Sequence, residues 1–247
     1  MATSVKFSLS KQIKTNITSS LSMSRDHLNF ATLTRQLASK SSQWIYRLDY
    51  YDTSPKKLET IDVYATYNIN KHFLTFVPTS SSRSLIAVAT VNNLIFYRTT
   101  PLEKMKETLH RQANIYDLTA SPNGELVVLV GQTIMVYRTI GFKEVIFPQI
   151  VENARHCDFS ADGFYMVIAS TSSINLYTFQ RINDNYQFQQ VPLTNFQAPV
   201  EYGAITSVQF NPSNSSELVI GYLSSSPGSF SIENGGLFFK KLSDIQP

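Results

Sequence analysis

The sequence predicts an all-β chain built from a repeated unit of antiparallel strands. Three stretches share one pattern at a spacing of 40 residues: "NNLIFYRTT" (92–100), "GQTIMVYRT" (131–139) and "SSINLYTFQ" (172–180). In each stretch an alternating apolar run leads to an aromatic residue, which is Tyr97, Tyr137 or Tyr177. A polar turn and another apolar run come before each stretch. A fixed period of about forty residues is typical of a repeat architecture in which each unit is one small sheet.

The turns that precede these strands contain residues suited to a tight reversal of the chain. Pro122-Asn123-Gly124 lies in "TASPNGELVVLV", and Asp162-Gly163 lies in "FSADGFYMVIAS". Such residues supply the backbone geometry that a turn between two strands requires. Residues 94–98, 134–138 and 174–178 are therefore predicted to be equivalent strands. The strand before each of them should be buried at these positions: Ile86, Val88, Val127, Leu129 and Val167.

Two weaker copies of the pattern flank the three clear ones. Near the start, "SMSRDHLNFATL" leads to "SQWIYRLD", which places Tyr46-Arg47 at the position of the aromatic and the residue after it. Near the end, "FNPSNSSELVIGYL" leads to "GGLFFKKLSD", which places Phe239-Lys240 there. The sequence therefore predicts five units, with polar insertions accounting for the longer gaps.

Residues 94–124 resemble the junction between two WD40 repeats. Tyr97-Arg98 stands where that family has Trp-Asp, Leu109-His110 stands near its Gly-His pair, and the stretch 121–124, "SPNG", matches its Ser-Pro-Asp-Gly turn. The chain departs from the family because it has no Trp-Asp pair and only one Trp. The family's hydrogen-bonded network of His, Asp and Ser or Trp is therefore not expected here. The resemblance covers most of residues 20–245.

This resemblance implies a β-propeller whose blades are four-stranded antiparallel sheets, with 1–247 as one domain. Each aromatic would end the third strand of a blade, with its ring packed and its hydroxyl near water. "PLEKMKETLHR" (101–111) permits a short helix, but the repeat favours an outer strand. Residues 1–20 are basic, and Val5–Leu9 alternate as a strand that would pair with the last blade. Three alternatives stay open: a closed ring of five blades, an incomplete ring, and a ring completed by a partner.

Composition narrows the classes of function. The net charge of +3 is dispersed, which does not favour nucleic acid as a partner. One cysteine, Cys157, excludes an internal disulfide framework and suits a reducing compartment. No apolar run is long enough for a helical membrane span. We therefore expect an intracellular protein of the cytoplasm or nucleus; a mitochondrial presequence is the alternative interpretation of the N-terminus.

The sequence contains no recognisable catalytic or metal motif. His156 and Cys157 are adjacent on a strand, so their side chains point to opposite faces and cannot share a metal ion. His110 is interpreted as a loop residue, and Cys157 as buried and inert. Asp117 and Asp158 lie on strands that lead into blades, but they do not occupy equivalent repeat positions. We therefore expect no cofactor, no metal and no small-molecule substrate.

The favoured interpretation is a non-enzymatic interaction scaffold, a WD40-like subunit of an intracellular multiprotein complex that binds proteins or peptides. The alternatives are a five-bladed glycosidase-type enzyme and the N-terminal propeller of a larger trafficking or nuclear assembly protein. A scaffold would bind through the loops before each first strand and between second and third strands. The partner-binding residues predicted there are His72, Asn92, Asn93, Arg111, Gln112, Gln132, Asn153, Arg155 and Ser172. Arg111 and Arg155 are the predicted anchors, because arginine offers five donors and stacks well.

Overall fold

The computed structural model describes only part of the 247-residue chain, and every structural statement below concerns that part. The described residues are 18–24, 29–37, 44–52, 57–64, 73–79, 85–90, 92–110, 112, 114–183, 185–192, 202–224 and 236–241. They form strands, turns and extended connections, with no helix among them. The predicted N-terminal strand Val5–Leu9, His72 and Arg111 lie outside the described residues, as do residues 1–17 of the candidate presequence.

The first two sheets each contain four strands in chain order. The first sheet consists of β1 (Thr18–Met23), β2 (Asn29–Leu37), β3 (Trp44–Asp52) and β4 (Lys57–Tyr64). The second sheet consists of β5 (Phe73–Val77), β6 (Leu85–Ala89), β7 (Asn93–Thr99) and β8 (Leu102–Leu109). Every pair of neighbouring strands is antiparallel. The segment that permitted a helix forms β8, so the prediction of an outer strand is confirmed.

The remaining three sheets follow the same plan. The third consists of β9 (Ile115–Ala120), β10 (Leu126–Gly131), β11 (Ile134–Arg138) and β12 (Lys143–Val145). The fourth consists of β13 (Ala154–Phe159), β14 (Tyr165–Ser170), β15 (Ile174–Ile182) and β16 (Asn185–Val191). The fifth, as far as it is described, consists of β17 (Tyr202–Asn211), β18 (Asn214–Ser224) and β19 (Gly236–Lys241). The prediction of an all-β chain of repeated antiparallel sheets is confirmed.

Apolar side chains fill the four junctions between consecutive sheets. The first strands adjoin one another in order, so that β1 lies beside β5, β5 beside β9, β9 beside β13 and β13 beside β17. The second strands β6, β10 and β14 each have at most one residue that is not buried, and all six residues of β10 are buried. This burial explains the continuous apolar runs, because both faces of such a strand contact neighbouring sheets. The predicted core positions are confirmed as fully buried: Ile86, Val88, Val127, Leu129 and Val167.

The three repeated tyrosines occupy one structural position. Tyr97, Tyr137 and Tyr177 lie on the third strand of their sheets, opposite the second residue of the preceding strand. The predicted equivalence of the three segments is confirmed as strands of matching place and register. The expectation that the hydroxyls lie near water is wrong, because the residues are only 2%, 0% and 1% exposed. Burial raises the pKa of Tyr137 and Tyr177 to about 12, and it also raises the pKa of Tyr97.

The two outer copies of the aromatic position are displaced from the predicted residues. In the first sheet Tyr51, five residues after Tyr46, is paired with Phe30, the second residue of β2. Tyr46 is buried but lies near the beginning of β3. The true equivalent is therefore Tyr51-Asp52. In the fifth sheet Leu218 is the equivalent of Met166, because Leu218 pairs with Phe210 on the first strand as Met166 pairs with Phe159. Met166 pairs with Tyr177 on the third strand, whereas Leu218 pairs with Lys240, one residue beyond the predicted Phe239.

A serine fixes the turn between first and second strands in three of the sheets. Ser24, Ser121 and Ser160 each donate their backbone N–H to the carbonyl five residues ahead. Each hydroxyl oxygen also accepts the N–H of that same later residue, at 2.9 Å. In the third and fourth sheets the turns contain Gly124 and Gly163, whose φ angles are +70° and +77°. The turn residues predicted from the sequence therefore do form these hairpins.

Candidate functional site

The sheets present two sets of loops at opposite strand ends. The loop face is defined here by the turns between second and third strands, 90–92, 131–133 and 171–173, together with the connections that enter the next sheet. The hairpin face is defined by the turns between first and second strands, 121–125 and 160–164. The strand registers place these sets at opposite ends, because β9 begins beside the end of β10 and ends beside its start. The sequence predicted binding at the loop face.

The described members of the predicted site lie along the loop face but differ in accessibility. Gln132, Asn153 and Ser172 are exposed, and Asn92, Asn93 and Arg155 are half-buried, whereas Gln112 is buried. Asn153 has a φ of +55°, which an asparagine tolerates better than most residues do. The structure therefore brings exposed polar groups to the ends of the third and fourth sheets.

Two of the predicted residues hold the loops together. The Gln112 amide donates to the carbonyl of Thr133 at 3.0 Å and accepts the Thr133 N–H at 3.0 Å. The backbone N–H of Asn93 donates to the Thr90 hydroxyl at 3.2 Å. A buried amide whose donors and acceptors are satisfied within the chain stabilises the fold. Gln112 is thus less suited to binding a partner than its position in the sequence indicated.

His110 also forms hydrogen bonds to the loop between β6 and β7. Its Nε2 lies 2.9 Å from the carbonyl oxygen of Thr90, and its backbone N–H donates to the carbonyl of Asn92 at 2.7 Å. Burial lowers the pKa of the imidazole, although the backbone contacts to Thr90 and Asn93 oppose that shift. The interpretation of His110 as a loop residue rather than a metal ligand agrees with these bonds. His110 therefore holds the loop between β6 and β7 by hydrogen bonds, at a place where the sequence analysis expected no WD40-type histidine network.

Arg155 stacks on an aromatic ring of the neighbouring sheet. Its guanidinium carbon lies 3.6 Å from the centre of the Tyr116 ring. Each of the two is the extra residue of a β-bulge at the start of its first strand: Val130 and Gly131 pair with Asp117 and Ile115, while Ser170 and Ala169 pair with Ala154 and His156. A bulge re-aims the side chain of its extra residue. The repeat thus places a cation and an aromatic at equivalent positions of adjacent sheets.

The Arg155 guanidinium is stacked on a ring without an ion-pair partner among the described residues. Within the described part of the chain no carboxylate forms an ion pair with it. Stacking on a ring uses the face of the guanidinium and leaves its N–H edges directed outward. Of the predicted anchors, Arg155 therefore has the geometry for binding an anionic or carbonyl group, while Arg111 lies outside the described residues.

Two aspartates hydrogen-bond the first strands of successive sheets to each other. Asp117 Oδ2 on β9 accepts the N–H of Cys157 on β13 at 3.0 Å, and Asp158 Oδ2 on β13 accepts the N–H of Phe210 on β17 at 2.8 Å. Their registers differ, since Asp117 lies opposite Val130 and Asp158 opposite Val167. Burial raises the pKa of each carboxyl to about 6, against the hydrogen bonds that lower it. Asp117 therefore links the third sheet to the fourth, and Asp158 links the fourth sheet to the fifth.

Cys157 and His156 point to different surroundings. Cys157 is buried in the apolar cluster between the third and fourth sheets, and burial raises its thiol pKa well above the ordinary value. His156 is half-buried, with Nδ1 4.0 Å from Asp117 Oδ2. No group of three or more potential metal-binding side chains occurs among the described residues.

The two aspartates give the free energy of unfolding a predicted pH dependence. Each carboxyl titrates near 6 when folded and near 3.8 ordinarily, so the folded state binds more protons between about pH 4 and pH 6. Their contribution to stability is therefore greatest at the acidic end and falls as the pH rises through this window. We expect the difference in unfolding free energy between wild type and the variant Asp117→Asn/Asp158→Asn to change across this window, measured by urea titration at each pH.

Asp162→Asn is the matched control for this pH prediction. Burial raises the pKa of Asp162, but the hydrogen bonds that its side chain accepts together lower it below the ordinary value, so its stabilising contribution is lost as the pH falls. As the pH rises, the stability difference between wild type and Asp117→Asn/Asp158→Asn should therefore fall, whereas the difference between wild type and Asp162→Asn should grow. Parallel curves for the aspartate double variant and wild type would contradict the assigned shifts.

The groove between the third and fourth sheets on the hairpin face was not predicted from the sequence. One cavity of about 420 Å³ lies between the hairpins, beside Glu125, Phe164 and Arg181. Another of about 620 Å³ lies beside Arg138, Lys143 and Tyr186. Tyr186 joins the two, since its hydroxyl donates to Glu125 Oε2 at 2.6 Å. The available signal in the sequence was Arg138, which follows Tyr137 in the repeated pattern.

No protein-family model and no curated protein sequence matches the chain. The part of the chain that the structure describes has no helix that is both long and apolar enough to cross a membrane.

Proposed function

We propose that this chain is a WD40-like β-propeller module that binds other proteins and has no enzymatic activity. Five successive antiparallel sheets with adjoining first strands support the proposed propeller. Apolar clusters at the four junctions pack consecutive sheets against each other, so the sheets form a common framework for the loops at their ends. Loops carried on a rigid framework are common binding surfaces.

The observation that carries the proposal is the arginine stack at the loop face. Tyr116 holds Arg155 in place before any partner arrives, so less side-chain entropy is lost on binding. A stacked arginine on the same loop face as exposed Asn153 and Gln132 is suited to hydrogen bonds with a carboxylate or with backbone carbonyls of a partner. Arginine is also among the residues that contribute most to protein interfaces.

Arg155→Ala is expected to remove partners that the wild-type protein captures from an extract of its source cells. A loss of at least about tenfold in captured partner corresponds to about 1.4 kcal/mol of binding free energy. Tyr116→Leu should give a smaller loss, because the arginine stays but is no longer held in place. The measurement is quantitative mass spectrometry of affinity-captured proteins, with the fold of each variant checked by circular dichroism.

Arg181→Ala is the matched control, because it removes an arginine from the hairpin face. We expect this variant to retain the partners. If folded Arg155→Ala protein kept every partner, or if both variants lost the same ones, the loop face would not be the binding surface.

A glycosidase-type enzyme is the second candidate function, and the raised pKa values of Asp117 and Asp158 are the observation in its favour. A general acid needs a carboxyl that stays protonated near neutral pH. Both carboxyls, however, accept backbone N–H groups from the next sheet. Hydrolysis of a panel of aryl glycosides that is lost in Asp117→Asn and retained in Arg155→Ala would favour the enzyme over the scaffold.

A further inference from the structure

The turn between β9 and β10 contains Asn123 followed directly by Gly124. Asparagine is a thermolabile residue, and a following glycine favours loss of its side-chain amide because no Cβ atom hinders the attacking backbone nitrogen. The Asn123 side chain is exposed, so water reaches it. The sequence has one other such pair, Asn234-Gly235, which lies outside the described residues. The chemistry at Asn123 therefore depends on how the turn holds the two reacting groups.

Loss of the amide proceeds through a cyclic succinimide. The Gly124 backbone nitrogen gives up its proton to solvent and bonds to Asn123 Cγ, while the side-chain nitrogen takes up a proton from solvent and leaves as ammonia. Water then opens the ring at one of its two carbonyl carbons. Opening at Cγ gives aspartate, and opening at the backbone carbonyl carbon gives isoaspartate, in which the main chain runs through the former side chain. Water is the only co-reactant, and nothing is oxidised or reduced.

Both reacting groups are held by hydrogen bonds in the folded turn. Asn123 Oδ1 accepts the Ser121 hydroxyl at 2.7 Å and the Glu125 N–H at 3.1 Å, which fixes the side-chain carbonyl. The Gly124 N–H donates to the Ser121 carbonyl at 2.8 Å, and the Gly124 carbonyl accepts the Thr139 hydroxyl at 2.6 Å. Cγ cannot approach the Gly124 nitrogen without breaking bonds of this set, and an N–H bonded to a carbonyl is harder to ionise. The closed turn therefore opposes formation of the succinimide.

The fourth sheet shows that the same kind of turn accepts an aspartate. Asp162 occupies the position that corresponds to Asn123, two residues after the serine of its own turn, Ser160. Its Oδ1 accepts the Ser160 hydroxyl at 2.6 Å and the Phe164 N–H at 3.0 Å. The Gly163 N–H donates to the Ser160 carbonyl at 2.9 Å. An aspartate formed at position 123 would therefore keep the hydrogen bonds that the asparagine accepts.

Isoaspartate does not fit this turn, because it adds one carbon atom to the main chain between Ser121 and Leu126. These two residues close the turn: the Ser121 N–H donates to the Leu126 carbonyl, and the Leu126 N–H donates to the Ser121 hydroxyl, both at 2.9 Å. Gly124 lies against the carbonyl of Pro78, where even an added Cβ atom would overlap. A longer main chain would therefore break the closing bonds or push the turn away from Pro78.

We propose that Asn123 is a deamidation site that the closed turn protects, so that the reaction proceeds in molecules whose turn between β9 and β10 has opened. Segments of a folded protein open locally without global unfolding. When opening and closing are fast, the rate of such a reaction follows the fraction of molecules that are open. The aspartate product allows the turn to close again, whereas the isoaspartate product keeps it open and leaves a lasting mark. The site is independent of the arginine stack at the loop face.

Ser121→Ala tests the protection, and Ser160→Ala is the matched control in the fourth sheet. Each chain is incubated in heavy-oxygen water at neutral pH, and peptide mass spectrometry measures the conversion of Asn123. The unprotected reference is a blocked peptide with the sequence of residues 117–128. We expect the wild-type chain to react at least about tenfold more slowly than the peptide. Ser121→Ala should react at least about fivefold faster than wild type, the factor for one lost hydrogen bond, and Ser160→Ala should react at the wild-type rate.

Thermal unfolding distinguishes the two products. Asn123→Asp should keep the wild-type Tm, whereas the isoaspartate fraction, separated by chromatography after incubation, should have a lower Tm. Urea below the unfolding transition gives a test that needs no variant, because it should speed the wild-type reaction by favouring the open turn.

Four outcomes would overturn the proposal. A wild-type reaction as fast as that of the peptide would exclude protection by the turn. Equal acceleration by Ser121→Ala and Ser160→Ala would show a loss of overall stability instead of the opening of one turn. An isoaspartate fraction with the wild-type Tm would show that the longer main chain fits, and a wild-type rate that does not change with urea would show that opening does not limit the reaction.

Discussion

Gly124→Ala is expected to destabilise the protein by about 2–5 kcal/mol. The glycine has a φ of +70°, and a left-handed conformation costs another residue about 1–2 kcal/mol. A Cβ atom at this position would overlap the carbonyl oxygen of Pro78, the residue that follows β5. Backbone has to move to remove this overlap, which adds about 1–3 kcal/mol. Urea denaturation of the purified variant measures the loss.

Two other glycines separate the conformational cost from the steric one. Gly141 has a φ of +77°, and a Cβ added there would have no atom within 4 Å, so Gly141→Ala should cost only the conformational part, about 1–2 kcal/mol. Gly163 has the same φ, and its added Cβ would be 3.4 Å from the Pro122 ring, so Gly163→Ala should lie close to the Gly141 value. Similar losses of stability for all three variants would mean that the turn between β9 and β10 does not contact the second sheet.

Tyr137→Ala is expected to cost about 3–5 kcal/mol, the range for removing a large buried aromatic side chain. Tyr137 is completely buried in the cluster between the second and third sheets. It has an apolar residue opposite it, Val127, on the adjacent strand. The cavity left by the ring would reduce packing at this junction. Thermal and urea unfolding followed by circular dichroism provide the measurement.

Tyr137→Phe is the control that isolates the hydroxyl. The hydroxyl donates to the Met135 sulfur at 3.6 Å, and sulfur is a weak acceptor. We expect this variant to change stability by less than about 1 kcal/mol. A phenylalanine variant as unstable as the alanine variant would show that a polar contact, rather than ring packing, holds the third strand.

Local patterns in the sequence were sufficient for the repeat and its elements. The spacing of Tyr97, Tyr137 and Tyr177 predicted three equivalent strands, and the turn residues around Gly124 and Gly163 predicted the hairpins. These features could be recognised because alternation, burial and turn geometry each depend on a few adjacent residues. The first sheet was harder, because "WIYRLDYYD" contains three tyrosines. Only the hydrogen-bond register selects Tyr51 over Tyr46.

Contacts between distant residues were decided by the tertiary structure alone. The sequence singled out Arg155 as an anchor, but its contact with Tyr116 depends on two bulges and on the approach of neighbouring sheets. The pairing of Arg138 with Lys143 likewise depends on the length and shape of the loop between them. Composition and periodicity specify which faces of a strand are buried. They do not specify register or sheet order, because these follow from the packing of side chains far apart in the chain.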